Sequence, residues 1–72
     1  MTRTKIRLDT MSDINKFVSE MNKINDKVWL EDDDGNRVNA SSLLGVLYSM
    51  EWKHVYCYCN KDISSHLMHW AV

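Results

Sequence analysis

The sequence predicts an α+β fold: an open-faced sandwich in which a four-stranded antiparallel sheet carries three helices on one face, in the order βαββαβα. Three observations predict it. Lys5–Asp9 and Val55–Cys59 alternate in character with a period of two, as half-buried strands do. Apolar residues recur at helical spacing in three other stretches. Asp34-Gly35 joins two short extended runs, which is a hairpin signal. With right-handed crossovers, such a string covers one sheet face with helices and leaves the other to solvent.

Composition sets the limits. With 72 residues the chain has room for one domain, 1–72, and one small core. An apolar content of 44% argues for a packed fold over disorder. The net charge of -1 gives no general attraction to nucleic acid or an anionic membrane. No apolar run approaches the ~18 residues of a membrane span, and the N-terminal residues lead into no signal-peptide core. Cys57 and Cys59 stand two apart, a poor disulfide spacing along a strand. They read as reduced thiols, and the expected location is cytoplasmic.

The elements follow in order. In Lys5–Asp9, Ile6 and Leu8 face inward. Ser12 is the expected N-cap of a first helix, with Asp13 in its first turn. Ile14, Phe17, Val18, Met21 and Ile24 form its stripe, and Asn25-Asp26 ends it. Val28–Glu31 is a second strand with Val28 and Leu30 on one face and Trp29 on the other. A short third strand, Asn36–Val38, follows the Asp34-Gly35 turn. The acidic run Glu31–Asp34 lacks the ligand periodicity of a calcium loop and reads as a solvated turn.

Asn39, Ser41 and Ser42 are cap-type residues before a second helix, whose apolar positions are Leu43, Val46, Leu47 and Met50. Gly45 costs this helix about 1 kcal/mol against Ala and marks a close approach or packing constraint. In Val55–Cys59 the valine and cysteines face inward, with Tyr56 and Tyr58 outward. Asn60 or Asp62 is the expected cap of a last helix with the stripe Ile63, Leu67 and Trp70.

The run Val38-Asn39-Ala40-Ser41-Ser42-Leu43-Leu44-Gly45-Val46-Leu47 resembles the segment leading into the second helix of the HPr-family phosphocarriers. The resemblance implies the same open-faced sandwich, with the second and fourth strands as neighbours. It places Ser42 on the family's regulatory serine. It also places Leu8–Asp13 on the stretch that should hold the phosphate-carrying histidine, and here there is no histidine and no arginine. Such a carrier needs an imidazole nucleophile among cationic or N–H donors, whereas Asp9 and Asp13 repel a phosphoryl donor. His54, His66 and His69 all belong to the C-terminal third. The chain is therefore expected to be a degenerate, histidine-less relative without catalytic residues or cofactor. A short, tailless version of a host fold suits a bacterial or phage protein.

Four sites are candidates. Ser42 can carry a phosphate on a helix start, as in the catabolite-repression HPr, although a plain N-cap serine is the favoured reading. The family's docking patch corresponds to Thr10, Met11 and Ser12 with Leu44, Leu47 and Tyr48; exposed apolar residues there mark a protein partner site. Trp29, Tyr56 and Tyr58 should form an aromatic patch on the open face, flanked by Arg7. That patch suits a homodimer contact or, less well in a chain that is not basic, single-stranded nucleic acid. Cross-strand aromatic pairing is its favoured explanation. His54, Cys57, Cys59, His66 and His69 are ligand types without zinc spacing, so no metal is expected.

The leading expectation is a non-enzymatic, HPr-like interaction or regulatory protein. A phosphoserine-regulated effector is the runner-up, and a nucleic-acid module using the aromatic face comes third.

Overall fold

A computed structural model describes residues 2–72. Four strands, β1 (Thr2–Ile6), β2 (Val28–Glu31), β3 (Arg37–Asn39) and β4 (Val55–Cys59), form one sheet in the order β1-β4-β2-β3. All three pairings are antiparallel. The helices α1 (Met11–Met21) and α2 (Leu43–Ser49) supply the second layer. The fold class is thus α+β with a four-stranded antiparallel sheet, and it has two helices where three were expected.

The alternation in each strand decides which side chains enter the core. Val28, Leu30, Cys57, Cys59 and Ile6 are buried on the helix side, while Trp29, Tyr56 and Tyr58 stand half-buried on the open side. Ile14, Phe17 and Met21 of α1 close over the inner face, and Trp70 meets Phe17 edge-on with ring centroids 5.4 Å apart. β1 starts and ends three residues earlier than its alternation suggested, because β4 pairs residue by residue with Thr2–Ile6. Leu8 is still buried, beyond the strand's end.

The cap of α1 is Thr10, not Ser12. The Thr10 hydroxyl accepts the Asp13 N–H at 3.0 Å, and the Asp13 carboxylate accepts the Asp9 N–H at 3.1 Å. Asp13, three residues after the cap, thus ties the first turn both to Thr10 and to the residue before it. The helix also stops earlier than expected. Asn22 caps it, and the Asn22 side-chain amide donates to Val18 O at 2.8 Å and Ser41 O at 3.1 Å. That second bond sets the end of α1 against the approach to α2, so the two helices run in opposite senses.

The β2–β3 hairpin closes through Asp32, whose carboxylate accepts the Asp34 N–H, the Asn36 N–H and the Asn36 side-chain amide. Gly35 supplies the positive φ of +86° that the turn needs. β3 begins one residue later than expected, at Arg37.

α2 is capped by Ser42, whose Oγ accepts the Gly45 N–H at 3.3 Å. Its inward side is built from small residues. Val46 and Ser49 are buried, and the Ser49 hydroxyl donates to Val46 O at 2.6 Å. A Cβ on Gly45 would stand 3.0 Å from Asn39 O, so the glycine marks a close backbone approach, as its place in the helix suggested. Leu43 and Met50, expected among the apolar core positions of this helix, are exposed, as is Leu47 of the expected docking patch.

The expected third helix is a single 3-10 turn, Ser64–His66. Its stripe was correct in kind: Ile63, Leu67 and Trp70 are all buried. Its backbone is held elsewhere, however. Trp70 O accepts the Arg7 N–H at 2.9 Å, the Val72 N–H donates to Lys5 O at 3.0 Å, and Ala71 bridges Ile6. These long-range bonds outcompete a short helix that would be marginal on its own. Among the described residues no helix is long and apolar enough to cross a membrane.

Candidate functional site

Among the described residues, most of the exposed large apolar side chains cluster on the second helix and its end. Residues 38–50 contain no charged side chain, although 26% of the chain is charged. Of the seven residues of α2, four are large, apolar and exposed: Leu43, Leu44, Leu47 and Tyr48. Leu44 is 79% exposed and Tyr48 62%, and the two lie one turn apart on the same face. Met50 extends the surface past the helix end.

The start of α1 belongs to the same end of the molecule as the C-terminal end of α2, because the helices run oppositely. Thr10, Met11 and Ser12 are exposed there, Met11 by 53%. The Thr10 hydroxyl is already engaged as the cap, which leaves Met11 as the apolar contribution. The predicted partner residues therefore divide into an exposed α2 group and a smaller contribution from α1.

Asp9 and Asp13 flank the first turn of α1, and Arg7 pairs with Asp9 at 2.9 Å. Two of the three histidines have carboxylate partners elsewhere. His54 Nδ1 lies 2.7 Å from Asp33, and His66 Nδ1 lies 2.6 Å from Glu20 near the far end of α1. The hydrogen bond from His54 holds the Asp33 carboxyl below its ordinary range, and that from His66 does the same for Glu20. His69 borders a shallow depression along α1 with Asp13, Lys16 and Glu20, a setting dominated by carboxylates and lysine. Cys57 and Cys59 point into the core, and burial pushes the Cys57 thiol up to about 12.

Ser42 is half-buried with its hydroxyl in use as a cap. That bond accounts for a serine at this position without a phosphate.

On the open face, Trp29 and Tyr58 stack with centroids 5.8 Å apart and planes 5° apart. The guanidinium of Arg37 covers Trp29 at 4.8 Å, and that of Arg3 covers Tyr56 at 3.7 Å. Arg3 Nε also donates to the Tyr58 hydroxyl at 2.7 Å. The flanking cations are thus Arg3 and Arg37, not Arg7, whose guanidinium is turned to Asp9. Register reveals them: Arg3 lies opposite Tyr58, and Arg37 follows the turn opposite Glu31. The patch forms as expected, yet its ring faces are spent on one another and on the two arginines. Bases stack on free ring faces, so this arrangement favours sheet stabilisation. Within it the Trp29 indole N–H is buried without an acceptor.

No protein-family model, curated protein or solved structure gives a significant match to this chain.

Proposed function

We propose that this chain is a non-catalytic, HPr-like interaction or regulatory protein that binds a protein partner through α2 and does not carry phosphohistidine. The observation that carries this reading is the exposed, uncharged α2, with Leu44 and Tyr48 on its outer face. A helix in a protein this small normally spends its leucines on the core; this one buries valine and serine and leaves the leucines outside. Two further features support the reading. β2 and β4 are neighbours, the strand order the resemblance implies. The opening of α1 offers a phosphoryl group two carboxylates and no imidazole.

The test compares wild type with Leu44→Asp and Tyr48→Asp as bait in cytosol, with the fold of each checked by circular dichroism. A protein captured by wild type and lost from both variants is the expected result. The same proteins returned by all three baits would refute the α2 surface. Incubation with the general phosphotransferase Enzyme I and its phosphoryl donor is expected to leave no acid-labile phosphate, and clear labelling would overturn the non-carrier half of the proposal.

A further inference from the structure

Seven aspartates lie along the chain, and one of them, Asp34, is followed by glycine. The others precede threonine, isoleucine, lysine or a further aspartate. The difference matters for one reaction. A backbone N–H can attack the side-chain carboxyl of the residue before it and close a five-membered imide. A Cβ on the attacking residue hinders that approach, and glycine has none.

The hairpin between β2 and β3 leaves this pair open to the reaction. Asp34 and Gly35 are both exposed, and a Cβ built on Gly35 would meet nothing within 4 Å. Within the acidic run, Asp32 is committed to Asn36 and Asp33 to His54, whereas no ion pair holds the Asp34 carboxylate among the described residues. The backbone shows the same division. The Asp32 carboxylate accepts the Asp34 N–H at 3.0 Å and the Asn36 N–H at 2.8 Å. The Gly35 N–H between them donates to Asp32 O at 3.4 Å, beyond the ordinary range of about 2.7–3.2 Å. The attacking nitrogen is thus the least restrained of the three.

We propose that Asp34-Gly35 is a modification site, at which the folded chain converts through a cyclic imide into an isoaspartyl linkage. The Gly35 nitrogen bonds to the Asp34 side-chain carboxyl carbon, and the carboxyl hydroxyl leaves with the amide proton as water. Water then reopens the imide. Attack at the side-chain carbonyl restores aspartate. Attack at the backbone carbonyl leaves the chain running through the Asp34 β-carbon, with the former backbone carbonyl as the free acid. The composition is unchanged, but the main chain has grown by one carbon, roughly 1.5 Å. The added length falls between the two N–H groups that Asp32 clamps, and directly before β3. It loosens the clamp and with it the position of Arg37, which lies on Glu31 and over Trp29. None of the residues involved belongs to the α2 surface.

The test incubates the folded full chain at physiological temperature and pH in heavy-oxygen water, where each ring opening adds one labelled oxygen. Peptide mapping locates the label, and a carboxyl methyltransferase specific for isoaspartate counts the converted chains. Label concentrated at Asp34 is expected, with every other aspartate slower by about tenfold or more. Gly35→Ala should slow conversion by about tenfold. Because Gly35 sits at positive φ, where alanine is strained, Asp34→Glu gives a second check. It keeps the charge and the glycine, and its larger ring closes far more slowly, so the label should disappear. In converted chains the amide signals of Asn36 and Arg37 should move, and unmoved signals would overturn the loosening of the hairpin. Label spread evenly over the aspartates, or undiminished in both variants, would overturn the site. Label at Asp34 in the urea-unfolded chain but not in the folded one would overturn it too, by showing that the turn shields the pair.

Discussion

Trp29 and Tyr58 stand directly opposite each other on β2 and β4, their rings parallel to within 5°. Such pairs contribute about 0.5–1.5 kcal/mol beyond the area they bury. A double-mutant cycle with Trp29→Ala and Tyr58→Ala, read by urea unfolding, is expected to return a coupling in that range. Trp29→Phe should behave differently. It keeps a ring in the stack and removes the buried indole N–H that finds no acceptor, an orphan donor worth about 1–3 kcal/mol. We expect its stability to fall within about 1 kcal/mol of wild type, the lost donor offsetting the smaller ring. A loss as large as that of Trp29→Ala would show that the indole N–H is satisfied after all.

Gly45→Ala tests the close approach of α2 to β3. Alanine improves helix propensity by about 1 kcal/mol, but overpacking costs about 1–3. The new methyl would press on Asn39 O, a backbone atom that itself accepts the Ser42 N–H at 3.3 Å and has little room to yield. Net destabilisation of about 1 kcal/mol is expected in denaturant titration. A stabilised variant would mean that the strand gives way freely.

The carboxylates of Glu20 and Asp33 make stability depend on acid. Both are held below their ordinary values of 4.5 and 3.8, chiefly by hydrogen bonds from His66 and His54. A carboxyl lowered in the folded state stabilises it fully above the unfolded-state value, and that contribution is lost as pH falls through the folded-state value. The melting temperature should therefore decline below about pH 4.5, and more shallowly in Glu20→Gln, since a neutral amide has no such titration. An unchanged slope in that variant would exclude the Glu20–His66 contact as a source.

The two cysteines should resist modification. Both are buried, and the Cys57 thiol is pushed up to about 12, so almost none of it is thiolate at pH 8. Reaction with a disulfide reagent is expected only on unfolding, at a rate that follows the opening of the sheet. Rapid modification of the native protein would contradict the inward direction of residues 57 and 59.

Much of this architecture was legible in side-chain order, and the exceptions share a cause. Strand faces followed from a period of two, and the hairpin from Asp34-Gly35, because both are set by neighbours in sequence. The last segment was misread as a helix because its apolar spacing is helical, while its backbone is claimed by Lys5 and Arg7 more than sixty residues away. Ser12 was read as the cap of α1, whereas Thr10 takes the position and the Asp13 carboxylate reaches back to the Asp9 N–H. The aromatic patch was visible in the alternation of β2 and β4. Its arginines were not, because Arg3 and Arg37 meet the rings only through cross-strand register. The exposure of Leu43 and Met50 was hidden because helical spacing marks them as apolar without saying how the helix is seated on the sheet.

The clasp between the two ends of the described chain bears on how the protein is made. β1 finds its partner in β4, and its last residues are then locked by Trp70, Ala71 and Val72. A ribosome synthesises Ile6 long before the residues that complete its neighbourhood, so early segments wait with their apolar faces uncovered. Pairing at such sequence separation also slows the search for the native state. A nascent chain halted before Trp70 would lack both the ring that packs on Phe17 and the seam that seals the sheet edge. Folding should thus be a single late event, arriving only when residues near position 72 have cleared the exit tunnel.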